Sequence, residues 1–207
     1  MLGNGHSDPT GGRQRVLMRW LVVAMMLLGG QAVADESVGI CHGYGCVAQA
    51  SIRFTDGQLG DVRRMLLAAS DAASERRILA DVIGLFYGWA GEQSDIHNDR
   101  AGNFDDGYRS GRMDCIDHST STTRLLNLLA ARGYLRWHRV LEPEVRSRIS
   151  LFFVHWTAVV EELWPDGDLA EAQPPGRFAV DSWFVDNGYP AVILPLDEWK
   201  RGAGPDV

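Results

Sequence analysis

The pattern of apolar and polar positions divides the chain into a helical first half and a strand-rich second half. Apolar residues recur every three or four positions in two segments, which predicts helices over residues 59–70 and from 74 to about 91. A third helix is predicted over 115–132, where Gly133 ends it. Residues 94–112 are rich in Asp, Asn and Gly and lack periodicity, so a long loop is expected before the third helix.

β-branched and aromatic residues predict strands at 134–141, 149–161 and 177–183, with a short one at 52–54. Prolines, including Pro143, separate these segments. Helices first and strands afterwards predict an α+β fold in which helices pack on an antiparallel sheet. The apolar run at 190–196 is interpreted as a docking tail.

The first 34 residues have the three parts of a secretory signal peptide. Arg13, Arg15 and Arg19 precede an apolar run of nine residues, and Ala32-Val33-Ala34 places small residues before a cleavage site at Asp35. A membrane-spanning helix needs about 20 apolar residues, so an uncleaved anchor is the weaker alternative. We therefore expect a periplasmic or secreted protein with one mature domain, residues 35–207, and no membrane span.

Charge narrows the classes of partner. Removal of the first 34 residues takes three arginines and one aspartate from 20 basic and 27 acidic residues, which leaves 17 and 26 and a net charge of −9. No basic stripe is present to neutralise phosphates, so nucleic acid and anionic lipid are not expected as partners. The remaining 173 residues suffice for one domain with its own core.

The three cysteines divide into a pair and a single residue. Cys41 and Cys46 lie close together near the mature N-terminus, where an oxidising compartment favours a disulfide between them. Metal binding by these two with His42 is the weaker alternative, because no fourth ligand is near and the paired spacing of zinc sites is missing. Cys115 is then the odd cysteine, which is an inert thiol, a partner for another chain or a reactive group.

The position of Cys115 at a helix start points to the last of these. Unpaired backbone N–H groups there are expected to lower the pKa of the thiol. His155, in the middle of a predicted strand, would take the proton, and Asp181, in an apolar strand, would hold the second ring nitrogen. Each residue alone has an ordinary structural explanation. The order Cys, His, Asp on helix, strand and strand favours a catalytic triad of Cys115, His155 and Asp181.

Other residues compete for parts of this site. Asp186 is a second candidate acid, although it precedes an Asn-Gly turn signal, and His118 is a second candidate base one helical turn after the cysteine. The backbone N–H of Cys115 is an expected oxyanion donor, and Gln93 or Asn103 could supply another.

The segment Asp114-Cys115-Ile116-Asp117-His118-Ser119 opens a helix that ends in Leu-Leu-x-x-x-Gly, and a strand with a central His and a strand ending in Val-Asp follow. This arrangement, over about residues 103–188, resembles the bacterial transglutaminase-like cysteine peptidases and looks closest to periplasmic Lap-type proteases, which cleave adhesins. The resemblance implies a papain-like or transglutaminase-like core with Cys115 as nucleophile, His155 as general base and Asp181 as orienting acid. It also implies attack on a peptide or isopeptide amide of a protein in the periplasm or cell envelope, through a thioester.

The chain departs from the Lap-type pattern on both sides of the cysteine. Ile116 stands where a calcium-binding Glu is usual, and the preceding loop lacks a Trp-rich stretch. Asp114 and Asp117 could bind calcium or cap the helix, and no cofactor is expected. Two other classes stay open. One is a noncatalytic periplasmic binding or assembly module with the same core; the other is a cell-wall endopeptidase of the NlpC type, whose Asp-Cys is followed by a Ser-Gly that is absent here.

Overall fold

The computed structural model describes residues 35–102, 104–148, 153–163 and 175–206, together with Met1. The chain divides between Ala34 and Asp35 into two units, and every element below belongs to the second. The predicted signal peptide lies outside the described residues apart from Met1. No helix in the described part of the chain has both the length and the apolar character to cross a bilayer.

The second unit opens with two antiparallel strands, β1 (Glu36–His42) and β2 (Ala48–Phe54). The predicted disulfide between Cys41 and Cys46 is confirmed and closes the turn between them. Sequence patterning predicts only residues 52–54 of this pair. The rest is not predicted because Glu, Ser and Gly weaken the strand propensity of β1.

Three helices follow, and each begins at a side chain that caps it: α1 (Asp56–Leu67), α2 (Ala72–Gln93) and α3 (Cys115–Ala131). Thr55, Asp71 and Asp114 each accept a hydrogen bond from the third residue of their helix, whose side chain bonds back to the cap. All three predicted helices are therefore present. The first two begin two or three residues earlier than their apolar periodicity suggests, because the caps set the start.

The second half of the chain forms a four-stranded antiparallel sheet in the order β3-β4-β5-β6. Its strands are β3 (His138–Arg148), β4 (Phe153–Glu162), β5 (Arg177–Asp181) and β6 (Val192–Pro195), and a short helix, α4 (Leu196–Lys200), follows them. The predicted α+β class, with helices and antiparallel strands, is confirmed.

Two predictions for this sheet are wrong in detail. β3 begins at His138, four residues later than predicted, and continues past Pro143, because the register shifts between Leu141 and Glu144 and leaves the proline out of the ladder. Such a bulge is tolerated on an edge strand, where a missing N–H costs little. The run at 190–196 is not a free docking tail, since most of it pairs with β5 as strand β6. Residues 149–152 of the predicted second strand lie outside the described residues.

Alternation along the strands sends side chains to two different clusters. Val160 and Val180 face the larger core, which includes apolar residues of all three long helices. Val159 and Ala179 face a smaller cluster with the aromatic and aliphatic side chains of Trp183, Phe184, Leu196 and Trp199. Cys115 packs against this smaller cluster, so the start of α3 reaches the side of the sheet that α4 covers.

Candidate active site

Cys115 is the first residue of α3 and lies against the end of β4. Its Sγ is 3.8 Å from the carbonyl oxygen of Val154, and the backbone N–H of Trp156 also contacts the sulfur. These two backbone groups flank His155. The pairing of β5 with β4 reaches Val180 opposite Ala158, so this part of β4 lies beyond it and its edge is open to the helix start.

His155 and Asp181 are directly bonded. His155 Nε2 lies 2.7 Å from Asp181 Oδ2, and the Asp181 side chain is almost completely buried. An ionised carboxylate only accepts, so Nε2 carries the hydrogen and Nδ1 is the basic nitrogen of the neutral ring. Among the described residues, Nδ1 has no hydrogen-bond partner. The structure therefore brings all three predicted residues together, with a free imidazole nitrogen available for a proton.

Asp181 is held by more than the histidine. Its Oδ1 accepts the backbone N–H of Trp183 at 3.2 Å, and its Oδ2 accepts the indole N–H of Trp199 at 2.8 Å. Three aromatic rings surround the imidazole, with centroids 4.7 Å (Trp183), 5.4 Å (Phe184) and 5.5 Å (Trp199) from its own. These rings keep water from the His155–Asp181 bond and so strengthen it.

The expectation that the helix start lowers the pKa of Cys115 is wrong. Burial raises the pKa of the thiol to about 11, and the charges of Asp114 and Asp181 add to this. Asp114 accepts the N–H groups of Ile116 and Asp117 at 3.0 and 2.8 Å, so a carboxylate occupies donors that would have stabilised a thiolate. The resting thiol is therefore protonated and needs a base before it can attack.

The two acids beside the cysteine anchor the disulfide loop. Asp117 accepts the backbone N–H groups of Tyr44 and Cys46 at 2.8 and 2.6 Å, and Asp114 accepts that of Gly45 at 2.9 Å. The donors converge because residues 43–46 all have positive φ, which the disulfide holds. Both acids therefore cap α3 and fix this loop. A calcium ion would have to displace these backbone donors.

The metal alternative at the cysteines is also resolved. In the described part of the chain, one group of potential ligands converges: Cys41, Cys46 and Asp117. Two of these sulfurs are bonded to each other, and the carboxylate accepts backbone N–H groups. His42 does not belong to the group. The cluster is a structural cross-link rather than a metal centre.

The loop before the cysteine is fixed by close backbone contacts. Gly111 has a φ of 81°, and a Cβ at this position would lie 1.8 Å from the carbonyl oxygen of Asp95, so only glycine fits. Two residues later, the N–H of Met113 donates to Asp99 Oδ1 at 2.9 Å. The predicted long loop is present, with one 3₁₀ turn at Asp95–Asn98, and its last residues approach α3 along a defined path.

The other candidate residues have partners elsewhere. His118 is buried and bonds Asp99 and Ser182, with no contact to the cysteine sulfur in the described structure. Asp186 accepts the N–H of Ala101. The Gln93 side chain bonds the backbone of β2 and its own helix, and Asn103 lies outside the described residues. No sequence signal indicates the roles of Trp183 and Trp199, because apolar packing explains them equally well.

Comparison of the chain with known protein families, characterised proteins and solved structures gives no match. The function is therefore argued from the geometry of the site.

Proposed function

We propose that this protein is an exported cysteine hydrolase that cleaves or transfers a peptide or isopeptide amide, with a papain-like or transglutaminase-like core. Cys115 is the nucleophile, His155 the general base and Asp181 the orienting acid. One observation carries the proposal: the 2.7 Å bond between His155 Nε2 and Asp181, with the Cys115 sulfur on the backbone that flank the same histidine. A buried acid, a basic nitrogen and a thiol converge in this order.

The first half of the reaction forms a thioester. Nδ1 of His155 takes the thiol proton as Sγ bonds to the substrate carbonyl carbon, and the carbonyl oxygen becomes an oxyanion. Asp181 stabilises the resulting imidazolium through its hydrogen bond to Nε2. The imidazolium then gives its proton to the leaving amine as the C–N bond breaks, which leaves an acyl group on Cys115.

The second half releases the acyl group. His155 takes a proton from water, the hydroxide oxygen bonds to the thioester carbon, and Sγ leaves and regains a proton. An amine in place of water gives acyl transfer by the same steps. The N–H of Cys115 contacts its own sulfur and has no oxygen acceptor among the described residues, so it is the donor that we assign to the oxyanion.

The high pKa of Cys115 decides between two forms of this mechanism. A preformed thiolate–imidazolium pair needs a thiol with a lowered pKa, whereas burial raises the pKa here to about 11. The proton must therefore move to His155 as the substrate is attacked, as it does from serine in the Ser-His-Asp hydrolases.

An activated ester tests the chemistry without knowledge of the natural substrate. We expect p-nitrophenyl acetate to acylate the oxidised protein with release of one p-nitrophenolate per chain, and intact mass to show one acetyl group. Cys115→Ala should abolish this burst, and His155→Ala should slow it by about 10²- to 10⁴-fold. Ser119→Ala is the matched control, since this buried hydroxyl of α3 bonds only Ile116 O in the described structure.

A burst that survives in Cys115→Ala, or the absence of any burst in folded protein, would refute the proposal and favour the noncatalytic binding module. The natural substrate can be sought by comparing wild type and Cys115→Ala in the producing cell. Protein fragments that depend on Cys115 support a peptidase, whereas released murein peptides support a cell-wall endopeptidase.

A further inference from the structure

A second histidine lies in a buried network one helical turn from Cys115. His118 Nε2 lies 2.9 Å from Asp99 Oδ2, and its Nδ1 lies 2.8 Å from Ser182 Oγ. The Ser182 hydroxyl also bonds Thr122 at 2.9 Å, and Thr122 in turn bonds the Tyr87 hydroxyl at 3.0 Å. The histidine, Asp99 and Ser182 are 3 %, 0 % and 3 % exposed, so no substrate reaches them.

The hydrogens of this network can all be placed. Because the Asp99 carboxylate accepts, Nε2 of His118 carries a hydrogen, and the neutral ring then accepts at Nδ1 from Ser182. Ser182 can accept from Thr122, and Thr122 from Tyr87, so one continuous chain of donors runs from α2 to the histidine. A buried network in which every member is paired holds its residues in one arrangement.

The network meets the candidate site at two places. Ser182 directly follows Asp181, and the two adjacent side chains are bonded to different histidines, Asp181 to His155 and Ser182 to His118. Asp99 also accepts the N–H of Met113, two residues before Cys115. The same buried group therefore holds the approach to the nucleophile and the residue beside the acid.

These contacts close a ring around the site. From the Cys115 sulfur the ring passes through the backbone of β4 to His155, then to Asp181 and Ser182. From Ser182 it passes to His118 and back along one turn of α3 to the nucleophile. With the ring closed, the separation of the sulfur and the imidazole is held from both sides. With the Ser182–His118 bond removed, only the contact of the sulfur with β4 holds it.

We infer that His118, together with Asp99 and Ser182, is a positioning residue that sets the geometry of Cys115 and Asp181 for the proposed reaction. This inference rests on the proposed function. Such positioning residues have large effects, because a displacement of about 1 Å from the productive geometry can lower a rate by about 10²-fold.

Two variants break the Ser182–His118 bond from opposite sides. Ser182→Ala removes the hydroxyl, and His118→Gln keeps an N–H for Asp99 but removes the ring nitrogen that accepts from Ser182. We expect each to slow acylation by p-nitrophenyl acetate about tenfold or more, measured per folded molecule in the oxidised protein. The double variant should be no slower than the slower single one, and Ser119→Ala should acylate like wild type.

The Asp181→Asn background separates positioning from a general loss of stability. If Ser182 acts through the acid, Ser182→Ala should change the rate by less than about twofold once Asp181 has lost its charge. Loss of the same factor in both backgrounds, or wild-type rates in both Ser182→Ala and His118→Gln, would overturn the inference.

Failure of the proposed function gives a different pattern, namely acylation that Cys115→Ala does not change. Positioning can then still be measured by iodoacetamide labelling of Cys115 at pH 8. Loosening of the ring should expose the sulfur and speed labelling in Ser182→Ala about tenfold towards the rate of the denatured chain, and an unchanged rate would overturn the inference.

Discussion

The protonation of Cys115 shows how a residue's surroundings can outweigh its position. A helix start favours a thiolate by about 0.3 to 1 kcal/mol when exposed, but burial acts on the whole charge and commonly costs more. At this helix start, Asp114 already accepts two of the free N–H groups. The thiol pKa of about 11 is the result.

This pKa predicts slow alkylation of the resting protein. At pH 8 a thiol with a pKa of about 11, against an ordinary value of 9.0, has a thiolate population lower by about 10²-fold. The more basic thiolate recovers about tenfold in nucleophilicity, so iodoacetamide should label Cys115 about tenfold more slowly than in the urea-denatured chain. The rate should rise as the pH approaches 11.

Mass spectrometry can follow this label at Cys115 alone, because the other two cysteines are joined. Faster labelling in the folded than in the denatured protein near pH 7 would contradict the raised pKa and show that the sulfur is already ionised by His155.

At the scale of elements, the start of α3 and the β1–β2 turn stabilise each other. Asp117 accepts two N–H groups of the turn as well as that of Asp114. Burial and the neighbouring charge of Asp114 raise the pKa of Asp117 to about 6, against the effect of these donors. The cross-link therefore holds the loop over a carboxylate that would otherwise repel its neighbour.

Removal of the disulfide should destabilise the domain and uncouple this carboxylate. Closing a loop of this size is worth about 2 kcal/mol in chain entropy, so Cys41→Ser with Cys46→Ser should lower the free energy of unfolding by about that amount in urea titrations. Asp117→Asn leaves one backbone donor without its acceptor and should cost about 1 to 3 kcal/mol in the oxidised protein. In the disulfide-free protein it should cost less, and an equal cost would contradict the coupling.

At the scale of the whole molecule, the candidate site is assembled from distant parts of the chain. The nucleophile is on α3, its base on β4 and the acid at the end of β5, and Trp199 of α4 supplies a donor to that acid. The first described residues are anchored as well, since Asp35 accepts hydrogen bonds from Arg53 and from the N–H of Asp56.

This anchoring makes the predicted processing testable. We expect secretion of the full chain in a bacterial host to yield a protein that begins at Asp35, seen as the intact mass of residues 35–207 with one disulfide. Ala32→Leu, which puts a large side chain in the recognition site, should block cleavage, whereas the same change at Val33 should not. A wild-type protein recovered from the periplasm with residues 1–34 attached would contradict the signal peptide.

Local signals predicted much of this fold and its site. The three long helices, three of the four strands of the large sheet and the disulfide follow from periodicity, caps and cysteine spacing, because each depends on neighbours a few residues away. β1 and the extension of β3 past Pro143 do not follow, since cross-strand pairing supplies their stability.

The amino-acid sequence by itself determined the residue types of the site, the helix start at Cys115 and the apolar strands that carry His155 and Asp181. Only the tertiary structure decided that these strands place the bonded His–Asp pair at the thiol, that burial keeps the thiol protonated, and that His118 belongs to a buried network with Ser182. The reason is physical. Helix starts and strand periodicity are local properties, whereas desolvation and hydrogen bonds between residues 60 or more positions apart exist only once the chain has folded.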